Sequence, residues 1–354
     1  MRAWLLAVLL SVTVCGHAAE AIYPGYSWQA LGSGVYLHSQ NDPLAGPVDG
    51  NSVVIVGDAG VLVVDTHINP AAARAVIRKI RALTGVPVTH VVNTHWHDDH
   101  TNGNHAYRQA FPGVKIIAHV NTLKSLHDEW EAMEEQRRTA YAEVDPEELQ
   151  REAAALDGTA PDTAIMYRVY SGYVAALRPE LAGLVLEYPD TVFESALAID
   201  LGNRRVEISW PGRGNTDGDA VVWLPDERVL VTGDLLVAPI PFAFDSPMAD
   251  WGATLRRLGE LDADVIVPGH GAPQYDGSYI ASVQALLEAT TSRVQAAHQN
   301  ATAFEDLGGA VNLDEFRREF AGEDPQRQWA WQTYFVDPGL KSAWTSLGYP
   351  LSTE

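Results

Sequence analysis

Val88-Thr89-His90-Val91-Val92-Asn93 runs straight into Thr94-His95-Trp96-His97-Asp98-Asp99-His100. The first run is rich in β-branched residues and reads as a strand. The second places four nitrogen or oxygen donors, His95, His97, Asp99 and His100, within six residues, just past the strand end. A strand holds such a loop rigidly, and a tight loop lets alternate side chains converge on one place. Imidazole with carboxylate suits zinc, and also iron or manganese. A solvated polar loop does not explain this density, because His and Asp withdrawn from water need partners.

Working outward, the segments Gly34–His38, Ser52–Val56 and Val61–Asp65 read as strands, the last two punctuated by Gly57 and Gly60. Pro70–Leu83 carries apolar residues at helical spacing and stops near Gly85. Strand patterns recur at Lys115–Ala118, Val192–Leu201, Val206–Trp210, Ala220–Leu224, Val229–Thr232 and Val265–Val267. Two more donors stand at the ends of such runs: Asp234 after Gly233, and His270 within Pro268-Gly269-His270-Gly271. Thr122–Ala155 is helical and acidic, and Asp162–Leu186 is mixed. The C-terminal part is helical, with Trp329, Trp331, Tyr334, Phe335 and Trp344 expected to close over the core. Polar ligands at strand ends, between sheet-forming and helical stretches, predict two face-to-face β-sheets flanked by helices.

The chain has 354 residues and a formal net charge of −22, which argues against nucleic-acid or anionic-membrane partners and leaves a small-molecule substrate. Its first residues have the pattern of a secretory signal. Arg2 precedes the apolar run Ala3–Val14, and Ala18, Ala19 and Ala21 offer cleavage points. Removal of residues 1–19 predicts a periplasmic or secreted protein, and the run is too short to span a bilayer. Cys15, the only cysteine, leaves with that segment, so any metal must be held by nitrogen and oxygen alone.

Thr94–His100, Gly202–Asp219, Thr232-Gly233-Asp234 and Pro268-Gly269-His270-Gly271 resemble the successive motifs of the metallo-β-lactamase superfamily, over roughly Gly34 to Pro273. The resemblance implies an α/β fold, a four-layer αββα sandwich, with a metal site at one edge of the paired sheets. Carried over, His95 and His97 serve a first zinc, Asp99, His100 and His270 a second, and Asp234 bridges. The family places a histidine just before Thr216, where this chain has Asn215. An amide oxygen is a weaker donor, so one or two zinc ions are expected, the second site the more secure. His105 is an alternative donor, and Asp65 resembles the aspartate that buttresses the ligand loop. His67 either lines the site or sits in an exposed loop.

The activity implied is hydrolysis of an ester, thioester, lactone or amide bond, possibly a β-lactam, by water activated on the metal, with Asp99 shuttling the proton. Asp234–Ser246 holds no Lys or Arg to grip a substrate carboxylate, and Arg213 reads as solvated. The alternatives are a non-catalytic or mononuclear metal-binding homologue, and an iron-dependent oxidoreductase on the same fold. One domain over 20–354 is expected, with a helical insertion at about 122–188 and a helical extension at about 279–354. The insertion forms either a lid, with Trp130, Met133, Tyr167, Tyr170 and Tyr173 shaping the pocket, or a helical layer with these residues in its core.

Overall fold

The computed structural model describes residues 20–351 except 245. The expected signal segment and Cys15 lie outside the described residues. Among the described residues twelve strands form two sheets. The first joins β1 (Tyr26–Gly32), β2 (Val35–Gln40), β3 (Ser52–Val56), β4 (Val61–Val64), β5 (Val88–Val92), β6 (Lys115–His119) and β7 (Thr191–Phe193), in that spatial order. It is antiparallel from β1 to β4 and parallel from β4 to β7. The second joins β8 (Ala196–Asp200), β9 (Arg205–Ser209), β10 (Val221–Leu224), β11 (Val229–Val237) and β12 (Val265–His270), of which only β11 and β12 pair in parallel.

Alternation along the strands assembles the layers. Ile55, Leu62, Val64, Val92 and Ile117 face Val206, Ile208, Val222, Val229 and Val267 across the gap between the sheets. Their strand neighbours Val54, Val63, Val91 and Ile116 point the other way, onto α1 (Pro70–Leu83) and α3 (Asn104–Ala110). In the second sheet Val221, Leu230 and Ile266 point outward, beneath α7 (Met248–Gly259), α8 (Ser278–Gln299) and α12 (Asp337–Ser346). A period of two, apolar on both faces, is the signature of a sheet covered on both sides. The result is the expected helix–sheet–sheet–helix sandwich.

Local chemistry sets several boundaries. Asn69 accepts from the Ala71 amide at 2.8 Å and Pro70 opens α1, so the helix starts where its N-cap places it. The helical stretch expected over Thr122–Ala155 is two helices, α4 (Val120–Ala142) and α5 (Pro146–Leu156). Pro146 cannot continue α4, and Asp145 caps the new start through the Glu147 amide. The strand expected over Val192–Leu201 is also divided. Residues β7 and β8 belong to different sheets, and Glu194-Ser195 carry the chain between them, with the Ser195 carbonyl accepting from Trp210.

The insertion continues as α6 (Pro161–Leu177) and packs around Leu126, Trp130, Tyr141 and Val174, with Met133, Tyr170 and Tyr173 against them. The remaining helices are α2 (Asp98–Thr101), α9 (Leu307–Ala310), α10 (Asp314–Phe320) and α11 (Pro325–Ala330), the last leading into a π-helical turn, Trp331–Val336. Trp331, Phe335 and Trp344 are buried in the outer core, as expected of the aromatic tail. Among the described residues no helix is long and apolar enough to cross a membrane.

Ile55 is wholly buried between the sheets. Ile55→Ala is expected to cost about 2–5 kcal/mol in urea unfolding, through lost transfer energy and the residual cavity. Val192→Ala, on a half-exposed strand residue, should stay within about 0.5 kcal/mol of the parent.

Candidate metal centre

The ligand loop hangs from β5 and is braced by one carboxylate. Asp65 stands just past β4 with φ +57°, a left-handed conformation that is strained for a side chain with a Cβ. The strain aims its carboxylate at the neighbouring loop. Oδ1 accepts from the Thr94 amide at 2.8 Å, and Oδ2 accepts from the Thr94 hydroxyl at 2.7 Å and lies 2.8 Å from His100 Nδ1. With Nδ1 engaged there, Nε2 of His100 is turned into the site. The His100 carbonyl is held by the Thr66 amide and by the side chains of Thr66 and Asn93, and Asn93 is itself paired with Asn104. Gly50 packs so tightly on His100 that an added Cβ would fall 2.6 Å from the ring.

From the opposite sheet, β11 delivers Asp234 and β12 delivers His270. Gly269 permits this approach, since a Cβ there would lie 1.9 Å from Asp234 Oδ1. Asn51 ties the β12 end to the first sheet, donating to the carbonyls of Pro268 and Gly271 at 2.8 and 2.9 Å.

Two donor groups result: His95, His97 and Asp234, and Asp99, His100 and His270. In the second, His100 Nε2 lies 3.3 Å from Asp99 Oδ2, Asp234 Oδ1 and His270 Nε2 alike. His270 Nε2 lies 3.0 Å from Asp99 Oδ2 and 3.4 Å from Asp234 Oδ1. A tetrahedral zinc with bonds of about 2.0–2.1 Å spaces its donors about 3.3–3.4 Å apart. Asp234 Oδ1 is buried with no hydrogen-bond donor, as a ligand oxygen would be. These residues therefore fit a metal ion. In the first group His95 Nε2 is 2.9 Å from His97 Nδ1 and 3.7 Å from Asp234 Oδ2, so Asp234 faces both groups.

Asn215 borders the same cleft as His97 and Asp234. Its Nδ2 donates to the Phe242 carbonyl at 3.1 Å, while Oδ1 is buried without a partner. The loop carrying it is folded over Asp219, whose carboxylate accepts from the amide and hydroxyl of Thr216 at 2.8 and 2.9 Å. Burial pushes the Asp219 carboxyl up to about 8 despite those bonds.

With no ion bound, the two groups differ in charge. Burial opposes protonation of His100, but Asp99, Asp234 and Asp65 outweigh it and hold its pKa well above the imidazole range. Burial is likewise overcome at His270, which Asp234 and Asp99 push up to about 9. His95 and His97 are depressed by burial, and His95 also by its imidazole neighbours, so both keep their lone pairs free.

Other expectations resolve as follows. His105 pairs with Glu187 at 2.7 Å and belongs to neither donor group. His67 neither lines the cleft nor is exposed: it is buried, 2.7 Å from His38 and 3.3 Å from Asp49. Arg213 is exposed and paired with Asp217 and Asp250. Of the five insertion residues proposed to shape the pocket, Tyr173 alone lines the cleft, and Trp130 and its neighbours form a helical-layer core. Sequence reading missed the salt bridge of Asp98 to Arg137 at 2.5 Å, which fastens α4 to the ligand helix α2. It also missed the cleft residues Val48, Ile68, Phe242 and Phe244, and the reach of Tyr334 beyond the core. No motif marks them, since they come from separate elements.

A family profile described as the metallo-beta-lactamase superfamily matches residues 45–270. The 2,4-dinitroanisole O-demethylase subunit alpha of Nocardioides sp. (strain JS1661) is 25% identical over 256 residues, 70% of this chain and 60% of that one. The linear primary-alkylsulfatase of Pseudomonas sp. (strain ATCC 19151) is 27% identical over 232 residues, 62% of this chain and 41% of that one. The chain thus spans about half the length of these two curated relatives. Among solved structures, a variant of the sec-alkyl sulfatase PisA1 superposes with a TM-score of 0.60 at 18% identity, covering 88% of this chain and 50% of that one.

Two predictions follow from the geometry. Asp65→Asn should weaken metal binding about 10–100-fold, read by competition with a chromogenic chelator. The protons on His100 and His270, both held above the imidazole range, stabilise the metal-free fold fully below the unfolded imidazole pKa of about 6.5, and the His270 contribution is lost as pH rises through about 9. The rise in Tm on adding zinc should therefore grow from pH 6.5 to 9; a flat or falling gain would contradict this charge assignment.

Proposed function

As the chain belongs to the metallo-beta-lactamase superfamily, we propose that it is an exported zinc-dependent hydrolase acting on an ester-like bond of a small molecule. The observation that carries this reading is the donor set Asp99 Oδ2, His100 Nε2 and His270 Nε2, 3.0–3.3 Å apart, with Asp234 Oδ1 3.3 and 3.4 Å from the two imidazoles, beside an open cleft. Similarity to proteins named as an alkylsulfatase and an O-demethylase supports small-molecule chemistry. The signal-like pattern of residues 1–21 supports export.

Residues His95, His97 and Asp234 would hold the first metal ion, with Asn215 Oδ1 as a neutral fourth donor. Asp99, His100 and His270 would hold the second, sharing Asp234. When bound, such ions polarise a carbonyl-type oxygen and lower the pKa of water toward neutrality. The chain supplies the rest. With no ion bound, burial raises the Asp99 pKa but His100 and His270 hold it well below the usual carboxylate range, and Asp99 borders the cleft. It is placed to take the proton of the attacking water and pass it to the leaving group. Asp65 keeps His100 in one orientation throughout, and Gly269 lets Asp234 come between the two ligand sets.

Asn215 makes the first site the weaker. Dialysed protein is expected to retain about one zinc per chain, rising to two in Asn215→His, by elemental analysis beside a protein assay. Equal content in both would show that the amide completes the site as well as imidazole. Asp99→Ala should lower kcat/KM on any cleaved ester at least about 100-fold. Hydrolysis surviving that change would remove Asp99 from the chemistry, and iron in place of zinc would overturn the hydrolase reading.

A further inference from the structure

The cleft beside the donor groups has a volume of about 190 Å³. Its far wall is apolar and is built by segments outside the ligand motifs: Val48, Ile68, Tyr173 of α6, Phe242, Phe244, and Tyr334 of the π-helical turn. The rings of Phe242, Phe244 and Tyr334 meet edge to face or tilted, with centroids 5.0 to 6.0 Å apart, and Phe242 also leans on His270 at 5.2 Å. The wall is fixed from behind. The Ala243 amide donates to the Tyr334 carbonyl at 2.9 Å, Ser342 donates to the Ala243 carbonyl at 3.2 Å, and the Phe242 carbonyl accepts from Asn215. At the mouth, Phe244 leaves 41% of its surface in water, a cost that a bound apolar group would relieve.

No Lys or Arg lines this cleft among the described residues. Arg137, the guanidinium bound to the ligand helix, is buried against Asp98 and Glu134, and Arg213 is held by Asp217 and Asp250. Asp98 and Asp99 are themselves part of the lining. Beside the metal donors a substrate anion would find no free cationic side chain to grip it, whereas an uncharged ring would meet the side chains of four aromatic residues. An apolar cavity of about 150 Å³ already holds benzene.

We propose that this cleft selects uncharged carboxylic esters whose non-reacting acyl part is one aromatic ring or its apolar equivalent, with Phe244 and Tyr334 as the specificity-determining residues. The proposal rests on the hydrolase reading for its chemistry, but not for its binding. The zinc-loaded full chain would be assayed on the 4-nitrophenyl esters of acetate, butyrate and benzoate, which share one leaving group, beside 4-nitrophenyl sulfate and a chromogenic cephalosporin. The benzoyl ester should exceed the acetyl ester in kcat/KM by about tenfold or more, with the two anions cleaved least. Phe244→Ala and Tyr334→Ala should each lower the benzoyl-to-acetyl ratio about tenfold. Preference for an anion, or a ratio unmoved in a folded Phe244→Ala protein, overturns the proposal. Separately, ligand-observed NMR on chelator-treated protein should show acetophenone bound in preference to benzoate, and less so in Phe244→Ala. If no ester is cleaved by metal-loaded protein, the hydrolase reading falls and this binding comparison alone decides the cleft. Equal or inverted binding then overturns the selectivity, and retained preference for the neutral ring upholds it.

Discussion

The carboxylate of Asp65 is the constraint on which the centre depends. It sits at the end of a strand in a backbone conformation that glycine adopts most easily, and it reaches across to the loop after the next strand in sequence. There it takes two bonds from Thr94 and one contact from His100. A buried carboxylate with three partners is satisfied, and one without them would be very costly. The fold therefore cannot place Asp65 without also placing the loop, and the strain at its φ is offset by the order it imposes.

Much of this was legible in the sequence because the donors are gathered in short segments at strand ends. His95, His97, Asp99 and His100 lie in one loop, and period-two alternation located the strands bearing Asp234 and His270. Asp65 was expected through its resemblance to the family's bracing aspartate. What the sequence hid are arrangements made by distant elements. His67 offered no sign that it would be buried against His38 and Asp49, because that packing depends on how β1, β2 and the loop before β3 come together. The run Val192–Leu201 reads as one strand because both parts are apolar, and only the pairing partners show that two sheets share it. Phe242, Phe244 and Tyr334 carry no common pattern, for their proximity is set by hydrogen bonds between a loop and the C-terminal extension, from the Ala243 amide to the Tyr334 carbonyl and from the Ser342 hydroxyl to the Ala243 carbonyl.

The insertion and the extension stand in different relations to the centre. The insertion is fastened to it by charge, through Arg137 and Asp98, and contributes Tyr173 from a helix whose other aromatic residues are packed internally. The extension reaches it through the π-helical turn, whose Tyr334 carbonyl holds the loop carrying Phe242 and Phe244 and whose Tyr334 ring packs on both. A π-helical turn packs an extra residue into its circumference and is common where side chains must be redirected. Here Trp331 and Phe335 are buried in the outer core while Tyr334 borders the cleft.

The bond between the Ala243 amide and the Tyr334 carbonyl has a consequence for how such a protein can change over evolutionary time. The donors sit on the two sheets and their strand ends, whereas the Tyr334 ring of the wall comes from the C-terminal extension. Substitutions, insertions or a new length in that segment would reshape what the cleft admits while the ligand loops stay untouched. Part of the recognition surface is thereby inherited apart from the chemistry. A lineage could exchange one clientele for another without passing through a form that has lost its metal.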